Sequence, residues 1–127
     1  MGYHILIVDD NRIMREMVAR AVQMSPLEIA GIHQAADGAQ ALDLLKKTWV
    51  DLVLLDINMP VMNGEQFLQA LRADPALKSQ LVIVVSTESS KTRIDRLKAL
   101  GAGFIHKPFR PEELIRAVDA MTNLEAP

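Results

Sequence analysis

Cysteine is missing from this sequence, and that one absence excludes a disulfide framework, a thiolate metal site and a cysteine nucleophile. A surplus of either charge is missing too. Fourteen Lys and Arg against sixteen Asp and Glu leave a formal net charge of −2, too even for a general nucleic-acid binder. No apolar run approaches the roughly 18–20 residues that a membrane-spanning helix needs. The longest, at 52–55 and 81–85, have the length of strands. Met1-Gly2-Tyr3-His4 carries neither the basic nor the long apolar segment of a secretory signal. Internal repeats, low-complexity tracts and charge blocks are also absent. What is present is 127 residues, 50% apolar and 24% charged, enough for one domain with a real core. The expectation is a cytoplasmic, soluble protein with no membrane insertion and no direct nucleic-acid contact.

Two kinds of segment alternate along the chain. Short β-branched runs recur at 5–8, 29–32, 52–55, 81–85 and, more weakly, 104–105. Most are continuously apolar, as expected of strands covered on both faces in a parallel sheet. Amphipathic stretches of helical period lie between them. In the first, Ile13, Met17 and Ala21 share a face with Met14, Val18 and Val22, leaving Arg12, Arg15, Glu16 and Arg20 in water. The two methionines read as core fillers. The second helix is expected over 38–47 with Asp37 as its cap, and the third over 64–73, stopped by Asp74-Pro75. The fourth has only a narrow stripe, Ile94, Leu97 and Leu100, before Gly101. The fifth opens on Pro111-Glu112-Glu113, a first turn suited to the helix dipole. Five βα units imply an α/β fold: a three-layer, doubly wound, five-stranded parallel sheet of flavodoxin-like order 2-1-3-4-5 with five helices.

In such a sheet chemistry gathers at the carboxyl ends of the strands. There the sequence supplies Asp9-Asp10, Asp56, Ser86-Thr87 with Glu88, and Lys107-Pro108. Taken singly, each has an ordinary use: an Asp pair caps a helix, Ser-Thr makes a turn, a lysine is solvated. Together they form a different object. Carboxylates converging on one crevice repel unless a cation sits among them, and oxygen donors without His or Cys favour a hard ion such as Mg²⁺. A lysine and a hydroxyl opposite that ion would clamp phosphoryl oxygens, and a carboxylate so placed can be a nucleophile. Residue chemistry therefore reaches metal-assisted phosphoryl transfer to or near an aspartate.

The motifs Ile7-Val8-Asp9-Asp10, Leu54-Leu55-Asp56 with Met59-Pro60 and Gly64, Ser86, and Lys107-Pro108-Phe109 occur in this order and spacing. With them the chain resembles the receiver domain of two-component response regulators, in the single-domain, CheY-like layout, from Ile5 to about Met121. The resemblance implies one receiver domain over 1–127 with no output domain. It implies that Asp56 is the phosphoacceptor, forming 4-aspartylphosphate from the phosphohistidine of a sensor histidine kinase, a histidine phosphotransfer protein or a small phosphodonor. Asp10, Asp56 and the backbone carbonyl of Asn58 would hold Mg²⁺ (Mn²⁺ can substitute), with Asp9 acting through a metal-bound water. Lys107 would pair with phosphoryl oxygens across a cis Lys107–Pro108 bond. Ser86 and Phe104 would form the switch. Asn58, Thr87 and Glu88 would tune dephosphorylation. Self-phosphorylation and autodephosphorylation would be its only chemistry. An effector in chemotaxis, motility or a phosphorelay would dock on the face of the fourth helix, fifth strand and fifth helix, with the receiver a monomer or a phosphorylation-induced dimer.

Phe104 has no hydroxyl to lock an inward rotamer, and Thr87 is bulkier than the small residue common there in the family. Lys91, Arg93, Arg96 and Lys98 make the fourth helix basic, which reads first as a solvated face and second as a dock for an acidic partner. Three other readings compete. A haloacid-dehalogenase-like phosphatase needs a second acid two residues after its nucleophile, where this chain has Asn58. A flavin or nucleotide binder needs a glycine- or hydroxyl-rich phosphate loop, where this chain has Asp9-Asp10-Asn11-Arg12. A phosphorylation-independent docking receiver would not need the full set of Asp9, Asp10, Asp56, Ser86 and Lys107.

Overall fold

Side chains that are apolar on both faces of a strand must be covered twice, and the computed structural model meets that demand with helices on either side of one sheet. It describes residues 2–57, 59 and 62–125. The strands are β1 (Tyr3–Val8), β2 (Ile29–Ala35), β3 (Leu52–Leu55), β4 (Leu81–Ser86) and β5 (Gly103–His106). They pair in parallel in the order β2-β1-β3-β4-β5, so the expected fold class is met. The helices are α1 (Arg12–Met24), α2 (Gly38–Lys47), α3 (Gly64–Ala73), α4 (Lys91–Ala99) and α5 (Pro111–Glu125).

Strand alternation divides the core in two. Leu6, Val8, Val53, Leu55, Val82 and Val84 point to one face, against Ala41 and Leu45 of α2, Phe67, Leu68 and Leu71 of α3, and Leu97 of α4. Ile5, Ile7, Leu52, Leu54, Ile83 and Val85 point to the other, against Val18 and Val22 of α1 and Leu114 and Val118 of α5. Each such aliphatic side chain contributes about 1.5–3 kcal/mol by leaving water. A one-residue register slip would exchange the two sets.

Two expectations need correction. The second strand reaches Ala35, not residue 32, because Leu6, Ile7 and Val8 take His33, Gln34 and Ala35 as ladder partners. This edge strand is half-covered, so polar side chains are tolerated where an apolar run was sought. On α1 the apolar surface is two rows wide, and only one row meets the core. Val18 and Val22 are buried, whereas Ile13 is 68% and Met17 58% exposed. Met17 is therefore no core filler. Arg15, expected in water, is half-buried.

Arg72 ties three peripheral segments together. Its Nε donates to the Leu100 carbonyl at 2.6 Å, and one guanidinium NH donates to the Lys78 and Gln80 carbonyls at 2.9 and 2.8 Å. Partial burial lowers its pKa from the ordinary value, but a guanidinium keeps its charge throughout the physiological range. Arg72→Met is expected to destabilise the fold by about 1.5–3 kcal/mol. Urea unfolding checks this: the midpoint should fall with an unchanged slope.

Candidate functional site

Backbone hydrogen bonding runs past the strand ends and fixes the residues just beyond them. The Asp9 N–H donates to the Ala35 carbonyl, the Asp56 N–H to Val8 at 2.9 Å, and the Lys107 N–H to Ser86 at 2.9 Å. Asp9, Asp56 and Lys107 thus leave the sheet along one edge, each pinned to a neighbouring strand. Helix capping does not consume the acids. Asn11 caps α1, its Oδ1 accepting the Met14 N–H at 3.1 Å.

Asp9 is only 4% exposed. Its Oδ1 accepts the Asn11 N–H at 2.9 Å, and its Oδ2 meets the Lys107 Nζ at 3.3 Å. Asp10 is exposed and Asp56 half-buried. One carboxylate oxygen from each of Asp9, Asp10 and Asp56 lies within 4.8 Å of the others. Three like charges so close leave negative potential that Lys107, already paired with Asp9, does not cancel. An all-oxygen set of this kind fits a hard divalent cation and would suit a soft one poorly.

Ser86 is wholly buried, and its Oγ accepts the Glu88 N–H at 3.1 Å. The Glu88 carboxylate accepts the Ser90 N–H at 3.1 Å and pairs with Arg93 at 3.5 Å. Thr87 is exposed. Phe104 is half-buried and packs on the core under α2, α3 and α4. The Lys107–Pro108 bond is cis. Asn58 and Pro60 lie outside the described residues, while Met59 is buried in the core. Gly64 lets the loop after β3 close: a Cβ there would stand 2.5 Å from the Ile57 Cα and 2.7 Å from the Asp56 carbonyl. The basic face of α4 is largely spoken for, by Lys91–Asp95, Arg93–Glu88 and Arg96–Glu65 pairs.

Sequence reasoning missed Arg15, which donates to the Asp9 carbonyl at 2.7 Å and to the Gln34 Oε1 at 3.1 Å. A signal existed. The first turn of α1 holds Arg12 without any acid, which opposes the helix dipole unless carboxylates stand nearby. An open cleft of about 660 Å³, lined by Leu45, Trp49, Asp51 and Leu77, sits at the opposite edge of the sheet, remote from the acids.

The family model for the response regulator receiver domain matches residues 5–119. The chain belongs to that family. CheY of Thermotoga maritima is 34% identical over 124 residues, 96% of this chain and 99% of that one. NarP of Escherichia coli, a nitrate/nitrite response regulator, is 33% identical over 118 residues, 93% of this chain and 54% of the relative. The chain therefore spans about half the length of NarP, and likewise of NarL. Among solved structures, the chemotaxis protein CheY4 of Vibrio cholerae superposes with a TM-score of 0.82 at 34% identity, covering 95% of this chain and 99% of that one. The receiver resemblance read from the motifs is met, and with it two-component signalling as the setting. Among the described residues, no helix is long and apolar enough to cross a membrane.

The crowding of carboxylates on this receiver makes a signed prediction. Without divalent ions, Asp10→Asn is expected to stabilise the fold by about 0.5–1 kcal/mol, the repulsion between unit charges near 5 Å in water. Added Mg²⁺ should then raise the unfolding temperature of the parent protein and leave the variant nearly unmoved. Thermal unfolding with Mg²⁺ and with chelator reads both effects.

Proposed function

We propose that this receiver accepts a phosphoryl group on Asp56 from the phosphohistidine of a sensor histidine kinase or a histidine phosphotransfer protein, and passes the change to an effector. The observation that carries this reading is the gathering of three carboxylates, Lys107 and Ser86 on one edge of the sheet. A docking module that worked without phosphorylation would gain nothing from that concentration of like charge.

Asp10, Asp56 and the backbone carbonyl of Asn58 would hold Mg²⁺, or Mn²⁺ in its place, with Asp9 acting through a water. The ion supplies charge neutralisation and alignment for the phosphoryl oxygens. An Asp56 carboxylate oxygen attacks phosphorus, the phosphorus–nitrogen bond breaks, and its electron pair leaves with the imidazole. Lys107, now 3.3 Å from Asp9, would turn part of its charge to a phosphoryl oxygen. The product adds about −1.5 to −2 charges and three acceptor oxygens.

The buried Ser86 hydroxyl would move to donate to that group, releasing the Glu88 N–H it now accepts. Phe104 would then turn into the vacated space. Its ring packs there without a hydroxyl anchor, so shape alone holds the inward state. The equilibrium shift is read by an effector on the face of α4, β5 and α5. Thr87, exposed beside the site, and Glu88, held by Arg93, would set how readily water reaches the acyl phosphate, together with Asn58. On this reading the protein works in the cytoplasm, beside its proposed phosphodonors.

Intact mass after acetyl phosphate treatment tests the reading. One phosphoryl group should be gained, with Mg²⁺ but not with chelator, and none by Asp56→Asn. If rapid hydrolysis hides the adduct, beryllium fluoride should still bind to the Mg²⁺-loaded protein and not to Asp56→Asn. Failure of both would overturn the proposal. Ser86→Ala should keep the mass gain while losing most of the amide chemical-shift change in β5 and α4 that accompanies it.

A further inference from the structure

Two histidines, on β1 and β2, present buried ring nitrogens that no described residue satisfies. We propose that His4 and His33 form a second cation site, for a borderline divalent ion of the Zn²⁺ class, separate from the acidic cluster. In the β1–β2 ladder His4 stands opposite Gly31, and His33 lies opposite Leu6, one same-face step further on. Both imidazoles therefore share the face that carries Leu6 and Val8. Their ring centroids are 6.2 Å apart, with the planes inclined by 25°. The His4 Nδ1 and the His33 Nε2 are buried without a hydrogen-bond partner. An unmet buried nitrogen is costly, so an arrangement with two of them side by side calls for something between them.

Gly31 supplies the space. A Cβ at that position would lie 3.1 Å from the His4 Nδ1 and 3.8 Å from the His33 Nε2, so both nitrogens border the gap that the missing side chain leaves. With metal–nitrogen bonds of about 2.1 Å, two imidazoles on one tetrahedral ion put their centroids about 5 Å apart, so the rings, now 6.2 Å apart, would close by about 1 Å on binding. Imidazole nitrogen selects zinc and its neighbours over Mg²⁺, so the two sites divide cations by donor chemistry. Asp51 holds the strand and is not a third ligand. Its Oδ2 accepts the His4 N–H and its Oδ1 accepts the Trp49 Nε1–H, both at 2.8 Å. Both histidines are half-buried, which leaves water to complete the coordination. Such an ion would clip edge strand β2 to the central strand β1.

Calorimetric titration with Zn²⁺, in Mg²⁺ sufficient to fill the acidic cluster, tests this. One ion per chain should bind with micromolar affinity and raise the unfolding temperature. His4→Gln and His33→Gln should each weaken binding at least tenfold, and so should Gly31→Ala, which fills the gap while keeping both rings. Asp56→Asn and His106→Gln should change nothing. On the unmodified protein, paramagnetic Co²⁺ should broaden amides in β1 and in 29–35 before those of residues 9–11 and 56, a readout that survives if a variant fails to fold. Absence of binding would mean that only water bridges the rings, and would overturn the proposal. Binding that persists in His33→Gln, or that is lost in Asp56→Asn, would assign the ion elsewhere and overturn it equally. None of these outcomes bears on phosphorylation of Asp56.

Discussion

Parallel pairing of β3 between β1 and β4 is the constraint on which the site depends. Strands that run the same way end on the same edge, and their slanted hydrogen bonds continue through Asp9, Asp56 and Lys107 into the loops. Antiparallel strands with the same end residues would have scattered these groups over two edges. The helices that parallel crossovers require also bury both faces of the sheet. The rigid floor under the acids and the two-sided core are thus one solution to one connectivity problem.

That floor carries an electrostatic load. Three carboxylates crowd one edge, and the protein relieves them only partly. Lys107 meets Asp9, the Asn11 N–H caps the other oxygen of Asp9, and Arg15 approaches from behind through the Asp9 carbonyl. Asp9 is thereby buried and paired, whereas Asp10 faces solvent. The unrelieved remainder suits the edge to a hard divalent cation. Selection for function at a site commonly works against local stability in this way.

Much of this was legible in the sequence. Continuous apolar runs such as 52–55 reveal two-sided burial directly, and the polar residues that follow those runs form the candidate site. Asp37 marks a helix start because capping is local chemistry. Local patterns do not report where a partially covered element stops or which row of a wide apolar face meets the core. His33 and Gln34 therefore hid half of β2, and Met17 looked buried when Val18 was the residue that faced the sheet. Arg15 and Arg93 were missed for a related reason. Their partners, the Asp9 carbonyl and the Glu88 side chain, are set by tertiary packing and by loop conformation, and neither leaves a periodic trace.

The anchoring of α4 has a mechanical consequence. Leu97 is its one fully buried residue, near the carboxyl end. At the other end its cap, Ser90, donates its N–H to Glu88, whose own N–H rests on the Ser86 hydroxyl. A rod whose buried apolar anchor is a single point pivots when nudged at its tip instead of sliding. Two short hydrogen-bonded links then separate the hydroxyl from the tip of a lever whose fulcrum is Leu97. On the proposed switch, a displacement too small to disturb the sheet would be magnified along the arm and delivered as a tilt of the charged outer surface.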